Sequence, residues 1–297
     1  MVSIAALKDT SPRWVKNVSD AATRQYAQLT VRDRPAPDFL VIGTKRGGTT
    51  SLFNYLMMHP GIMGLYPQVR GKKSTDYFFK ERQRGEHWYR SHFQTETYRK
   101  LVSRRLGYRP ISGEASPYYL WDPRVAGHVR ELSGGIKAIA LLRDPVERAW
   151  SHYQERAQNG VEPLEFPAAL EAEETRLQGE LEKMLAEPAY CSTAHDFYSY
   201  RSRGVYLPQI QNWRRSFPEG QLLILRSEDM YEDVQATFDR VCDFLKVPST
   251  VLPTTRTFNA RKRSSTMPPE VEAELREYFA PHNEDLYRYL GTDELWP

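Results

Sequence analysis

Two hydrophobic patterns alternate along the chain. Short unbroken apolar runs end in glycine or arginine, and stretches with apolar positions at helical spacing follow them. "DFLVIG" (38–43) is the first such run. It is too short for a buried helix and reads as a buried parallel strand. "TTSLFNYLMM" follows, with Leu52, Tyr55 and Leu56 on one helical face and His59-Pro60-Gly61 as the stop. "IKAIALL" (136–142) is a second buried strand. Asp144 then supplies an N-cap, Pro145 the first helical position and Glu147 the partner of a capping box, and Asn159-Gly160 ends the helix. Residues 162–187, rich in Glu, Leu and Ala, read as one solvent-facing helix. "YLPQIQNWRRSF" is helical, "QLLILRSEDM" is a third strand, and "EDVQATFDRVCDFLKV" is an amphipathic helix closing before Pro248. The tail from Pro268 is helical as well. Strands alternating with helices predict an α/β domain: a parallel sheet covered on both faces. Residues 1–37 read as a polar lead-in, and 38–297 as a single large domain.

Composition narrows the choices by exclusion. Of 297 residues, 40% are hydrophobic and 27% charged, as in an ordinary globular protein. The net charge is +3, from 41 basic and 38 acidic residues. That argues against nucleic acid as a partner and leaves room for a local anion site. The two cysteines, Cys191 and Cys242, have neither C-x-x-C nor His/Cys spacing, so free thiols and no metal are expected. No stretch approaches the ~18 apolar residues of a membrane span, and the first residues lack the core of a signal peptide. A cytoplasmic protein without a membrane span is expected.

The candidate chemistry lies at the strand ends. "GTKRGGTTS" (43–51) sits between a strand and a helix and nearly spells a Walker A loop. Thr49 stands where the lysine belongs, while Lys45 and Arg46 lie inside the loop. Backbone N–H groups at the helix N-terminus, the hydroxyls of Thr49, Thr50 and Ser51, and the two basic side chains form an anion site that does not depend on a metal-bridged triphosphate. "LLRDPVERAWSHY" carries a second site. Arg143 ends a strand, where open α/β sheets bind ligands, and Arg148 and Ser151 are three residues apart on a helix. A third basic cluster, Arg261, Lys262 and Arg263, reads as a solvated loop or as a lid over a polyanionic ligand.

Together these segments resemble the sulfotransferases that use 3′-phosphoadenosine 5′-phosphosulfate (PAPS). "TKRGGTTSL" is similar to their 5′-phosphosulfate loop, K-x-G-T-[TS]-x-L. "LLRDPVERAWSHY" is similar to their 3′-phosphate motif, R-[DN]-P-x-x-R-x-x-S-x-Y. "RGVYLPQIQNWRRSFP" and "GEASPYYL" resemble two further segments common in bacterial members and heparan-type enzymes. The resemblance runs from Asp38 to Arg263. It implies a P-loop NTPase-like three-layer fold, PAPS as co-substrate without a metal, and sulfuryl transfer to a hydroxyl or amine. The acceptor would be a sugar, lipid-linked sugar, natural product or other small molecule. It also implies that Lys45, Arg46, Gly47, Gly48, Thr49, Thr50 and Ser51 hold the 5′ side, and that Arg143, Ser151 and Tyr206 serve the 3′ side. Arg261, Lys262 and Arg263 would close over the nucleotide.

Two departures bear on the chemistry. The family's loop lysine aligns with Arg46, and Lys45 lies one residue earlier, so either is a candidate to bridge the leaving phosphate and the sulfuryl group. The glutamate that heparan-type enzymes carry in K-E-x-H-F-F is missing from "KKSTDYFF", where Asp76 is nearest. The candidate bases are Glu114 first and Asp76 second, with His152 packed beneath the site. The competing readings are a kinase using ATP and magnesium, and a nucleotide-binding module without catalysis. Extended sulfated polyanions do not suit an acid-rich middle segment.

Overall fold

The central strand is buried end to end. In the computed structural model, which describes residues 22–67, 72–258, 266–293 and 296, all five residues of β1 (Phe39–Gly43) are buried. With β2 (Ile62–Met63), β3 (Ile111–Ala115), β4 (Lys137–Leu142) and β5 (Leu222–Arg226) it forms a parallel sheet in the order β2-β3-β1-β4-β5. Val41 is in register with Ala115 on one side and Ile139 on the other.

Alternation along the strands divides the core between the two faces. Leu40, Ile42, Ala138 and Ala140 pack with Tyr119, Val125, Val129, Ile210 and Trp213 on one face. Phe39, Val41, Ile139 and Leu141 pack with Leu52, Leu56, Phe238 and Val241 on the other. The helices that cover the faces include α1 (Thr49–Leu56), α5 (Tyr206–Ser216) and α6 (Val234–Leu245), whereas α2 (Pro145–Gln158) packs its apolar side into a third cluster with Phe166, Leu170, Leu275 and Phe279. The last helix described, α7 (Pro269–Leu290), packs against α2 and α5. The sequence pattern thus located three of the five strands and the helices that follow them.

The differences have local causes. The helix expected over 162–187 is two helices, α3 (Phe166–Leu177) and α4 (Glu180–Ala186). Gly179 between them takes φ 75°, a left-handed conformation that stops the first and starts the second. The run "QLLILRSEDM" leaves the sheet at Arg226, where Ser227–Glu232 becomes a short helix. The capping box at α2 is half made. Asp144 accepts from the N–H groups of Val146 and Glu147, at 2.8 and 3.4 Å, whereas the Glu147 carboxylate reaches Arg143 at 3.1 Å instead. Before β1, a helix over 22–29 is fastened to the domain by Arg24, whose guanidinium donates to the carbonyls of Tyr66 and Ser91.

Candidate functional site

β1 and β4 lie side by side, and the chain leaves both at the same end of the sheet to start α1 and α2. The two sequence motifs therefore face each other across one cleft of about 860 Å³. Lys45, Arg46, Gly48, Thr49 and Thr50 line it from the first motif, and Arg143, Glu147, Ser151 and Glu155 from the second.

The loop between β1 and α1 is shaped by backbone conformation. Gly48 precedes α1 at φ 87°, and a Cβ there would lie 2.8 Å from both the Met230 methyl and the Tyr231 hydroxyl. Arg46 also takes a left-handed φ, 69°. A non-glycine residue in this region costs about 1–3 kcal/mol unless its surroundings hold it there. They do: the Arg46 carbonyl accepts from Arg143 Nη1 at 3.1 Å, and its Nε donates to Ser151 Oγ at 2.9 Å. Arg46, Arg143 and Ser151 thus form one cationic cluster joining the two motifs.

Lys45 turns the other way. It is nearly buried, with its ammonium 3.8 Å from Asp196 Oδ1. Loss of hydration pushes its pKa down to about 7, and the buried Arg203 adds to the effect while Asp196 opposes it. A second ammonium lines the cleft from outside both motifs. Lys73 Nζ donates to Thr49 Oγ1 at 3.1 Å and to Thr50 Oγ1 at 2.9 Å. Burial lowers its pKa to about 8, against the pull of Asp76 and Glu155. The Walker lysine missing from position 49 is replaced in space by a lysine 24 residues further along the chain. The spacing of "KKSTDYFF" does not by itself single out this lysine.

The structure places several of the sequence-derived residues away from the cleft. Glu114 is fully buried and does not line the cleft. Its carboxylate accepts from the Thr75 N–H at 2.6 Å, the Thr75 hydroxyl at 2.8 Å, and the hydroxyls of Tyr89 and Tyr119 at 2.9 Å each. Burial raises its pKa to about 7, against those hydrogen bonds. It ties β3 to Thr75, Tyr89 and Tyr119. Asp76 also stands off the cleft lining, with Oδ1 accepting from Ser74 Oγ at 2.6 Å. Arg148 is wholly buried and donates to the Tyr200 carbonyl, so three-residue spacing from Ser151 does not bring it into the cleft. Tyr206 is buried too, and its hydroxyl donates to the Arg143 carbonyl at 2.7 Å.

Gly47 does not line the cleft, because its N–H is already donated to the Thr44 carbonyl. Ser51 faces away as well, exchanging hydrogen bonds of 3.1 Å with the Phe258 N–H and carbonyl. His152 is buried under the site, as anticipated, and burial among cations drives its pKa well down. Arg261, Lys262 and Arg263 lie outside the described residues.

Other cleft residues carried no sequence signal. Tyr231, Phe258 and Trp296 form an aromatic flank beside Arg226 and Ser227. Trp150, Gln154, Glu155 and Gln158 continue the α2 wall beyond Ser151. Among the described residues, no group of three or more His, Cys, Asp or Glu side chains is arranged to hold a metal ion. No helix among them is long and apolar enough to cross a membrane.

Residues 36–268 match the model of the sulfotransferase domain family, and the chain belongs to that family. It is 27% identical, over 88% of its length, to a membrane-associated sulfotransferase, kil1, of Dictyostelium discoideum, and covers 66% of that protein. It is 26% identical, again over 88% of its length, to human (Homo sapiens) heparan sulfate glucosamine 3-O-sulfotransferase 3B1, and covers 65% of it. The chain therefore spans just under two thirds of the length of these curated relatives. The crystal structure of a sulfotransferase from Alicyclobacillus acidocaldarius matches at a TM-score of 0.65 and 26% identity, covering 87% of this chain and 97% of that one. The P-loop NTPase-like layered fold and the family anticipated from the two phosphate motifs both hold, and the kinase alternative is not favoured.

Proposed function

We propose that the chain transfers the sulfuryl group of PAPS to a hydroxyl, or an amine, of a carbohydrate or small-molecule acceptor, without a metal. One observation carries this reading: the cleft holds two separate cationic clusters and no Walker lysine. A nucleotide with phosphates at both its 3′ and 5′ positions needs two such clusters. Arg143, Arg46 and Ser151 would hold the 3′-phosphate through charge-assisted hydrogen bonds. Lys45, Lys73, Thr49, Thr50 and the N–H groups of α1 would hold the 5′ side and stabilise the leaving phosphate. Arg46 then serves the 3′ cluster, and the role of the family's loop lysine falls to Lys45 with Lys73. Tyr231, Phe258 and Trp296 would enclose the base.

The catalytic unit in this reading is 38–297 and acts in the cytoplasm, with 1–37 as a lead-in segment. Sugars, lipid-linked sugars and natural products remain the acceptor classes, with no nucleic acid and no membrane span involved. The heparan relatives act on a polyanion by name. Glu155 in this cleft favours a neutral or cationic acceptor instead.

Calorimetric titration with 3′,5′-adenosine bisphosphate in the absence of metal, beside ATP with magnesium, tests the reading. The bisphosphate should bind tightly. Arg143→Ala should weaken it about 10- to 100-fold, the worth of one or two charged hydrogen bonds. 5′-AMP, which lacks the 3′-phosphate, should be nearly indifferent to the same change. Preference for magnesium-ATP would overturn the proposal.

A further inference from the structure

Transfer to a hydroxyl needs a group to take the acceptor's proton, and both sequence candidates stand off the cleft lining. Glu114 is saturated by four donors away from the cleft, and Asp76 does not line it. Another carboxylate does. Glu155 stands on α2 one turn beyond Ser151, at the i+4 position that shares its face, and it lines the same cleft.

Its hydrogen bonding sets it apart. Buried carboxylates elsewhere in the fold are fully engaged: Glu162 accepts from Arg176, the Leu164 N–H and Tyr200, and Glu173 accepts from the Arg201 and Ser202 N–H groups and the Ser202 hydroxyl. Among the described residues, Glu155 Oε2 is the one buried carboxylate oxygen without a hydrogen-bond partner. A buried acceptor left open costs stability, and such groups are kept where a ligand or a reaction uses them. Glu155 is also close enough to Lys45 and Lys73 to oppose the lowering of both their pKa values. It therefore lies by the loop that would hold the departing phosphate, where an acceptor hydroxyl would approach the sulfur.

Resting on the transferase reading above, we infer that Glu155 is the catalytic base. Its carboxylate takes the proton of the acceptor hydroxyl as that oxygen forms its bond to sulfur. The bond between sulfur and the 5′-phosphate oxygen breaks, and its electron pair leaves on the phosphate, beside Lys45 and Lys73. The products are the sulfate ester and 3′,5′-adenosine bisphosphate, and the carboxylic acid returns its proton to water.

Acceptor acidity tests this. p-Nitrophenol ionises by itself near neutral pH, whereas water and the alkyl hydroxyls of p-nitrophenyl glycosides do not. In Glu155→Gln, desulfation of the donor by water and transfer to glycosides should fall about 10²- to 10⁴-fold, the usual worth of a positioned base. Transfer to p-nitrophenol should stay within about threefold, as should bisphosphate affinity, because the donor contacts survive. Glu155→Asp should restore part of the glycoside rate. Equal loss with both kinds of acceptor, or no loss with either, overturns the role of Glu155. A wild-type protein that releases no bisphosphate from the donor under any of these conditions overturns the transferase reading itself.

Discussion

Nucleotide binding should draw protons from solution, because burial holds Lys45 and Lys73 short of full charge. Their pKa values are about 7 and about 8, where an exposed lysine has 10.5. At pH 8 about a tenth of Lys45 and about half of Lys73 is charged. A phosphate near these ammoniums favours their charged forms. At ~4 Å and an effective dielectric of ~20, one unit charge is worth ~4 kcal/mol, or about 3 pKa units. That returns both groups to the ordinary lysine range. Binding should then take up about 1.4 protons at pH 8, where a phosphate with its second pKa near about 6 is already fully ionised and contributes almost none. The sign follows: a ligand that binds with proton uptake weakens as pH rises, here by about 25-fold per pH unit near pH 8. Titration of 3′,5′-adenosine bisphosphate in Hepes and in Tris, which differ in ionisation enthalpy, yields the proton count directly. Lys45→Met should lower it by about 0.9 and Lys73→Met by about 0.5. A count near zero in the wild type, or one that neither substitution changes, refutes this account of the cleft.

Glu114→Gln should destabilise the fold by about 2–4 kcal/mol, as expected when a buried network loses its acceptor, while bisphosphate affinity survives; denaturant unfolding and calorimetry separate the two. The folded pKa of Glu114, about 7, lies above the usual 4.5, so its contribution to stability is full below pH 4.5 and is lost as pH rises through 7. Wild-type stability should carry that downward slope and the amide variant should not. Gly48→Ala should weaken bisphosphate binding, since a methyl at φ 87° lies 2.8 Å from the Met230 methyl and the Tyr231 hydroxyl; wild-type affinity in that variant would show that the loop is not held in this shape.

The sequence carried the fold wherever burial left a one-dimensional trace. β1 and β4, buried on both faces, are unbroken apolar runs, and the Asp-Pro start of α2 is a local signal. β2 is two residues long, and β3, "ISGEA", contains a serine and a glutamate that only its neighbours satisfy, so neither shows a strand pattern. The site divides the same way. Arg143, Ser151 and the loop threonines sit in contiguous motifs and could be read directly. Lys73 reaches the loop across 24 residues, Asp196 reaches Lys45 across a far longer interval, and Trp296 arrives from the end of the chain. Glu114 misled for the opposite reason: a carboxylate in a motif gives no hint of whether its acceptors are filled.

Helix α2 works as a ruler. Its first residues follow Arg143, its middle carries Ser151, and its last two turns carry Glu155 and Gln158, all facing one cleft. Each residue advances an α-helix by about 1.5 Å and turns it by about 100°, so a single insertion or deletion would swing every later group off the cleft. The spacing of Ser151, Glu155 and Gln158 along the cleft is thereby fixed by residue count. Change on this wall must proceed by exchange of side chains at fixed length.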